Sequence, residues 1–275
     1  MTLELYHRVS GDGPPLILLH GLFGSLDNLN GVAHRLSSHF QIHALDLRNH
    51  GRSPHAGSMS YPDMANDVLA YMSRHGLERA SLLGHSMGGK TAMQVALNAP
   101  DRVDKLIVAD IAPVSYPPHH DEILAGLAAV DPASLHSRTE GDRILADYVP
   151  EVAVRQFLLK NLVRREGGGF AWRMNLPVIR RCYQQVTAGQ QGSGPFEGPV
   201  LFIKGGNSNY IQARYRDQVA RLFPRAEIRI IPGTGHWLHA EKPEVFAALC
   251  ERFLLADEKK AAPETGDPVD GGYNE

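Results

Sequence analysis

The sequence predicts an α/β fold with a mostly parallel sheet, flanked by helices and interrupted by one helical insertion. In the first half of the chain, short apolar runs alternate with helical patterns. Strands that alternate with helices indicate a parallel sheet covered on both faces. The alternation stops after Pro113, where only helical patterns continue, and it resumes at Val200. At 275 residues the chain is long enough for one large domain with such an insertion.

Each predicted element depends on a local pattern. The first two strands are apolar runs separated by the Gly- and Pro-rich turn 11–14. The second helix carries Met64, Val68 and Met72 at helical spacing. Strands are predicted at 3–9, 16–19, 41–45, 80–83, 106–109, 200–203 and 227–231. Helices are predicted at 29–36, 61–75, 89–97, 122–130, 151–163, 176–186, 215–222 and 243–255.

The change of pattern divides the chain into three parts. No strand is expected in the insertion, where the three glycines 167–169 only interrupt the helical run. The end of the chain is rich in Pro, Gly and acidic residues and has few apolar ones, which predicts disorder. We therefore expect an α/β core over 1–114 and 196–257, a helical cap over 115–195, and a disordered tail over 258–275.

Composition excludes several classes of partner. The formal net charge is −2, and no basic stripe with interleaved aromatic residues occurs, so a nucleic-acid partner is not expected. No apolar run is long enough to cross a membrane, and the first residues do not resemble a signal peptide. We therefore expect a cytoplasmic protein without a membrane partner. The oligomeric state is left open.

Cysteine and histidine positions give no metal or disulfide signal. Cys182 and Cys250 are far apart and form no Cys-x-x-Cys pair, so they are expected to be ordinary thiols of a reducing compartment. The pair His119-His120 has no accompanying Cys/His cluster and no His-Glu-x-x-His pattern. We predict neither a metal site nor a cofactor.

The strongest functional signal is the sequence Gly84-His85-Ser86-Met87-Gly88. It has strand signals before it and helix signals after it. A serine at such a strand-to-helix turn is exposed in a strained conformation, and the glycines remove side chains that would clash there. The following helix places its positive dipole end beside the hydroxyl. Ser86 is therefore predicted to be the nucleophile of an acyl transfer.

A serine hydroxyl needs a base that removes its proton, and His236 is the predicted base. It lies in a Gly-Thr-Gly-His-Trp sequence directly after a strand pattern and before the last helix. Loops at the carboxyl ends of parallel strands open onto one crevice, which would bring His236 to Ser86. His239, three residues later, is expected to start the helix or to support the site.

A third group should orient the imidazole, and two loops could supply it. The loop after the strand at 200–203 contains no carboxylate, whereas Asp110 follows the strand at 106–109. Asp110 is therefore the predicted acid. Ser208 occupies the other loop, and its hydroxyl is expected to bond His236 or Asp110 as a possible fourth member of the site.

An oxyanion formed by attack on a carbonyl needs preorganised donors. The backbone N–H of Met87, directly after the nucleophile, is the first candidate. The second should come from the loop after an early strand, where Gly21 and Gly24 let the backbone bend toward the crevice. We assign it to the N–H of Leu22, with Phe23 as the alternative.

The insertion is expected to cover Ser86, because it leaves the core just after Asp110 and returns before the loop of Ser208. Such a lid would exclude water and limit the length of the acyl chain. Tyr116 at the cap entrance and Trp237 beside the base are expected to narrow the substrate pocket, and Phe23 is a candidate for its floor. The expected preference is for acyl chains of roughly two to eight carbons.

Four motifs together resemble the α/β-hydrolase fold superfamily over roughly residues 3–255. The combination of His-Gly-Leu-Phe-Gly-Ser, Gly-His-Ser-Met-Gly-Gly-Lys and Asp-Ile-Ala-Pro is most similar to small bacterial esterases of the YbfF type. The motifs are 20–25 (His-Gly-Leu-Phe-Gly-Ser), 46–53 (Asp-Leu-Arg-Asn-His-Gly-Arg-Ser), 84–90 (Gly-His-Ser-Met-Gly-Gly-Lys), and 235–237 (Gly-His-Trp) with 241–243 (Glu-Lys-Pro).

The resemblance implies a cofactor-free serine esterase that acts on small-molecule esters with short-to-medium acyl groups, or on acyl thioesters. It also supports Asp110 as the acid, although the wider superfamily usually has an Asp where this chain has Ser208. Two alternatives remain open. One is a C–C bond or acyl-CoA thioester hydrolase with the same triad, and the other is a binding protein of this fold without catalysis.

Overall fold

The computed structural model describes residues 1–256. Residue 257 of the predicted core and the predicted tail at 258–275 lie outside the described residues. The strands are β1 His7–Ser10, β2 Pro15–Leu19, β3 Gln41–Leu45, β4 Ala80–His85, β5 Val103–Ala109, β6 Leu162–Arg164, β7 Phe170–Trp172, β8 Val200–Gly205 and β9 Ala226–Ile231.

Seven of these strands form the main sheet, in the order β1-β3-β2-β4-β5-β8-β9. Only β1 runs antiparallel to its neighbour, and the other five pairings are parallel. The predicted α/β class with a mostly parallel sheet is therefore confirmed. Leu16, Ile17, Leu18 and Leu19 have no exposed surface, because both faces of a parallel sheet are covered.

Helices cover the two faces of the sheet. Val68 of α2 and Met93 of α3 belong to the core on one face, whereas Val32 of α1 and Phe246 of α11 belong to the core on the other. Within residues 1–256, no helix combines the length and the apolar character needed to span a membrane. The helices are α1 Asn30–Leu36, α2 Tyr61–Arg74, α3 Met87–Asn98, α4 Asp121–Ala129, α5 Arg138–Ala146, α6 Val152–Leu159, α7 Leu176–Arg181, α8 Tyr183–Thr187, α9 Arg216–Leu222, α10 Leu238–Glu241 and α11 Pro243–Leu255.

The insertion contains five helices, α4 to α8, and a short hairpin. The expectation that it holds no strand is wrong, because β6 and β7 pair antiparallel there. The glycines 167–169, expected only to interrupt a helix, form the hairpin turn with φ between 74° and 101°. Each strand has only three residues, which is too short for an alternating apolar pattern to be visible.

Two further differences have local causes. The first strand starts at His7 rather than Leu3, because the Leu3 N–H donates to Asp67 of α2 instead of a neighbouring strand. Helix α5 was not predicted, although Ser137 and Glu140 have the spacing of a helix start. In the structure the Ser137 hydroxyl accepts from the Glu140 N–H.

Lys90 of α3 fastens both junctions of the insertion to the core. Its side chain is buried, and Nζ donates to the carbonyl oxygens of Val114 (2.7 Å), Thr187 (3.2 Å) and Ala188 (2.6 Å). Burial lowers the pKa of this ammonium group to about 7. The three carbonyls belong to the segments where the chain leaves and re-enters the core.

Candidate active site

Five loops that follow parallel strands meet at one edge of the sheet. His20 follows β2, Ser86 follows β4, Asp110 follows β5, Ser208 lies just beyond β8, and His236 lies in the loop after β9. The carboxyl ends of parallel strands share one edge, which is where ligand sites of open α/β sheets form. The topology therefore collects side chains that are far apart in the sequence.

Ser86 adopts a left-handed conformation, with φ 54° and ψ −118°, at the turn between β4 and α3. Such a conformation costs a non-glycine residue about 1–3 kcal/mol and persists only where its surroundings impose it. A Cβ atom on Gly84 would lie 2.2 Å from the Gly88 oxygen, and one on Gly88 would lie 2.2 Å from the Leu19 oxygen. Both glycines are therefore required for this turn.

The predicted nucleophile, base and acid lie in one hydrogen-bonded line. The Ser86 hydroxyl donates to Nε2 of His236 at 3.0 Å, and His236 Nδ1–H donates to Oδ2 of Asp110 at 2.8 Å. Asp110 has no exposed surface, whereas the His236 side chain is 25% exposed. The carboxylate thus selects the tautomer in which Nε2 can accept a proton from Ser86.

Two further donors hold the Asp110 carboxylate. The Gly205 N–H donates to Oδ1 at 2.9 Å, and the Ser208 hydroxyl donates to Oδ2. Of the two hydrogen-bond partners left open by the sequence, Asp110 and His236, the Ser208 hydroxyl thus donates to Asp110. A Cβ atom on Gly205 would lie 2.1 Å from the Gly235 oxygen, so this glycine lets the loop of His236 approach β8.

Backbone N–H groups beside Ser86 are candidates for the oxyanion donors. Met87 is the first residue of α3, where N–H groups have no intrahelical acceptor. The Leu22 N–H has no acceptor among residues 1–256, whereas the Phe23 N–H donates to His50 Nε2 at 3.1 Å. Leu22 is thus the better candidate of the two.

Two buried histidines fix the loop that carries Leu22. His20 Nδ1–H donates to the Gly21 oxygen at 2.8 Å, and Nε2 accepts from the Leu47 N–H at 3.0 Å. His50 Nε2 likewise accepts from a backbone N–H, that of Phe23. Burial lowers the pKa of His20 to about 4 and that of His50 to about 3, so both rings are neutral acceptors at pH 7. Sequence reasoning gave neither residue a role, although both lie in quoted motifs.

The segment 46–53 is held in place by its own buried polar side chains. The Asp46 carboxylate accepts from the N–H groups of Leu26 (2.7 Å) and Arg52 (2.8 Å). Buried Arg48 pairs with Asp67 of α2 at 2.7 Å. These bonds hold the 46–53 segment against the loop of His20 and against α2.

The insertion also supports this loop. Buried Asn161 donates from Nδ2 to the Phe23 oxygen at 2.7 Å, across 138 residues of sequence. Phe23 itself has a left-handed φ of 61°. No sequence pattern pointed to Asn161, because its partner is defined only once the insertion has packed on the core.

Neutral buried histidines predict a loss of stability in acid. Burial also lowers the pKa of His43 and His239 to about 4, of His120 to about 3, and of His85 well below its ordinary value. Below pH 6.5 the unfolded chain binds protons at these sites, whereas burial keeps the rings of the folded chain neutral to a lower pH. The free energy of unfolding should therefore fall as the pH drops from 6.5 to 4, by about 3 kcal/mol for fully buried His20 alone.

Urea unfolding between pH 7.5 and 5 measures this dependence. His50→Gln keeps an acceptor for the Phe23 N–H but cannot be protonated, so its stability should depend less on pH than that of the unsubstituted protein. His34→Gln, at an exposed position on α1, is the matched control and should keep the full dependence. A flat profile in the unsubstituted protein would contradict the assignment of these rings as neutral.

Aromatic side chains surround His236. The Tyr210 ring stacks on His236 with centroids 4.1 Å apart, a contact that sequence reasoning missed. Tyr116 accepts from the Ala112 N–H and donates to the Tyr210 oxygen, so it holds Tyr210 in place. His119 bonds the Tyr210 hydroxyl at 2.6 Å. Among residues 1–256, no group of three or more His, Cys, Asp or Glu is arranged to hold a metal ion.

Two cavities open on Ser86. The larger, of about 420 Å³, is lined mainly by apolar side chains and includes Phe23 and Trp237. Trp237 and Phe157 of α6 approach to 5.6 Å between ring centroids, so the insertion forms part of this wall. The smaller, of about 30 Å³, includes Tyr116. The three residues predicted for the substrate pocket are thus divided between two cavities.

A mostly parallel sheet with a strained serine at a strand-to-helix turn is typical of α/β hydrolases. Comparison with known proteins gives the same class. A family model described as alpha/beta hydrolase fold matches residues 14–141. The chain belongs to the α/β-hydrolase family, since it is 42% identical over 241 residues to esterase YbfF of Escherichia coli (strain K12), covering 87% of this chain and 92% of that protein. The predicted fold, the predicted likeness to YbfF-type esterases and the predicted hydrolase class are confirmed.

Two other similar proteins share most of the chain. The identity to sn-1-specific diacylglycerol lipase ABHD11 of Mus musculus is 40% over 259 residues, covering 90% of this chain and 84% of that protein. A solved structure of a marine microorganism esterase superposes with a TM-score of 0.90 at 43% identity, covering 92% of this chain and 100% of that one. The similarity therefore extends over the core and the insertion together.

Proposed function

We propose that the protein is a serine carboxylesterase that hydrolyses small-molecule esters with short-to-medium acyl groups through an acyl-enzyme. The observation that carries this proposal is the line of hydrogen bonds from Ser86 through His236 to buried Asp110. Its support from the comparisons is the substantial identity to proteins named as esterases.

Acylation would begin when Ser86 Oγ attacks the ester carbonyl and His236 Nε2 takes the hydroxyl proton. Asp110 would keep the ring oriented and stabilise the imidazolium. The negative charge on the former carbonyl oxygen would be held by the N–H groups of Leu22 and Met87. His236 would then return the proton to the departing alcohol as the C–O bond breaks.

Deacylation would repeat these steps with water as the nucleophile. His236 would remove a proton from the water, the same N–H groups would hold the second oxyanion, and the proton would return to Ser86 Oγ. Each step uses groups of this chain, so the proposal includes no metal and no cofactor.

We also propose a cytoplasmic location, which the free buried thiols Cys182 and Cys250 support.

A fluorophosphonate probe tests the proposal directly. We expect covalent labelling at Ser86, located by peptide mass spectrometry, because the probe reacts with serines activated by a neighbouring base. A panel of p-nitrophenyl esters and acyl-CoA thioesters should show turnover that the probe abolishes. A protein that neither reacts with the probe nor hydrolyses any member of the panel would be a binding protein of this fold.

A further inference from the structure

The two cavities that meet at Ser86 differ in size and in their relation to the base. Leu22, Ser86 and His120 border both of them. His236 borders the larger cavity, as do its neighbours Trp237 and His239. The smaller cavity is bordered by Met87 and Ile111 instead, and His236 does not line it. Leu22 and His120 thus stand where the two spaces divide.

The chemistry of ester cleavage determines which part of the ester lies on the side of His236. In the tetrahedral intermediate, the carbonyl carbon carries Ser86 Oγ, the oxyanion, the acyl chain and the alkoxy group. His236 Nε2 must reach the alkoxy oxygen to protonate it as it departs, so the alkoxy group lies on the side of His236. The acyl chain then extends away from His236.

We infer that the smaller cavity binds the acyl group and the larger cavity binds the alcohol part of the ester. This inference rests on the proposed esterase function and narrows its substrate class. The smaller cavity holds about two water-sized atoms, because one such atom requires about 10–15 Å³ of this volume. Tyr116, Ile111 and Val186 are among the residues that line it. The expected substrates are acetyl to butyryl esters of large alcohols.

The wall of the larger cavity describes the alcohol. Apolar side chains make up most of this wall, among them Ile123, Val154, Phe157 and Trp237. An apolar alcohol of several carbons therefore fits it. Trp237, expected from its sequence position to narrow the substrate pocket, is placed on the alcohol side by this inference.

Two isomeric esters test the assignment without a difference in composition. Octyl acetate has a two-carbon acyl group and an eight-carbon alcohol, and ethyl octanoate has the reverse. We expect kcat/KM for octyl acetate to exceed that for ethyl octanoate by at least about tenfold, since an apolar pocket discriminates by that much for a size difference of one methylene group. Equal values or the opposite order would overturn the inference.

A matched pair of variants identifies the cavity responsible. Val186→Ala shortens a side chain in the wall of the smaller cavity, and Val154→Ala makes the same chemical change in the wall of the larger cavity. We expect Val186→Ala to raise kcat/KM for p-nitrophenyl hexanoate relative to p-nitrophenyl acetate by at least about tenfold, the lower end of the range for a methylene-sized change in an apolar pocket. Val154→Ala should leave that ratio unchanged.

Ile111→Val, which removes a single methyl group from the smaller cavity, is the second variant if Val186→Ala does not fold. A change in the acyl ratio on Val154→Ala, but not on the variants of the smaller cavity, would reverse the assignment. A wrong cavity assignment and a wrong esterase function give different results. If only the cavity assignment is wrong, ester turnover and probe labelling persist and the selectivity differs from that expected. If the esterase function is wrong, both turnover and labelling are absent.

Discussion

Ser86→Ala is expected to lower kcat for a short p-nitrophenyl ester by about 10⁶-fold, which is the scale of losing a serine nucleophile. The alanine cannot form the acyl-enzyme, and His236 then has no hydroxyl to deprotonate. The fold should persist, because the backbone bonds of this turn involve the Ser86 N–H with Ala109 and the Ser86 oxygen with Lys90. Steady-state kinetics and a thermal melt measure both properties.

His236→Ala should be damaging on the same scale, and the double variant should be no worse than either single one, because the two groups act as a unit. Ser38→Ala, at an exposed position after α1, is the matched control and should retain full activity. Turnover by Ser86→Ala near the unsubstituted rate would contradict the assignment of the nucleophile.

Asp110→Asn is expected to lower kcat by about 10⁴-fold, by analogy with loss of the orienting carboxylate in serine proteases. An amide facing His236 Nδ1 favours the tautomer in which Nε2 carries the proton and cannot accept one from Ser86. Ser208→Ala should cost much less, about 1 kcal/mol or about fivefold, because the carboxylate keeps its bonds to His236 and Gly205.

The ranking of these two variants is the decisive observation. Kinetics against one p-nitrophenyl ester, with circular dichroism to verify folding, give both values on one scale. A severe loss on Ser208→Ala together with a mild loss on Asp110→Asn would mean that the carboxylate does not orient the base. The role of Asp110 would then be to stabilise the fold.

Local patterns predicted most of the core. The strand Gln41–Leu45 and the helix Pro243–Leu255 have the predicted bounds, because an apolar run or a Pro at a helix start identifies them without any partner. The hairpin in the insertion was not predictable in this way. Its strands are three residues long, and their pairing depends on packing that the sequence does not display.

The candidate site likewise contains residues that local patterns predicted and contacts that they could not predict. Ser86 and His236 were recognised because each lies in a short pattern of neighbouring residues. The contact between Ser208 and Asp110 spans 98 residues, and the one between Asn161 and Phe23 spans 138. Contacts of this kind are set by the packed chain, so the role of Ser208 stayed undecided and Asn161 went unnoticed until the packing was known.

The bonds of Lys90 have a consequence for how this protein can change. All three of its acceptors are main-chain carbonyls, at Val114, Thr187 and Ala188. Every amino acid carries that carbonyl, so a change of side chain at these three positions leaves the acceptors of Lys90 in place. These three attachment points therefore place little demand on the sequence of the insertion, which also supplies Val154 and Phe157 to the wall of the larger cavity.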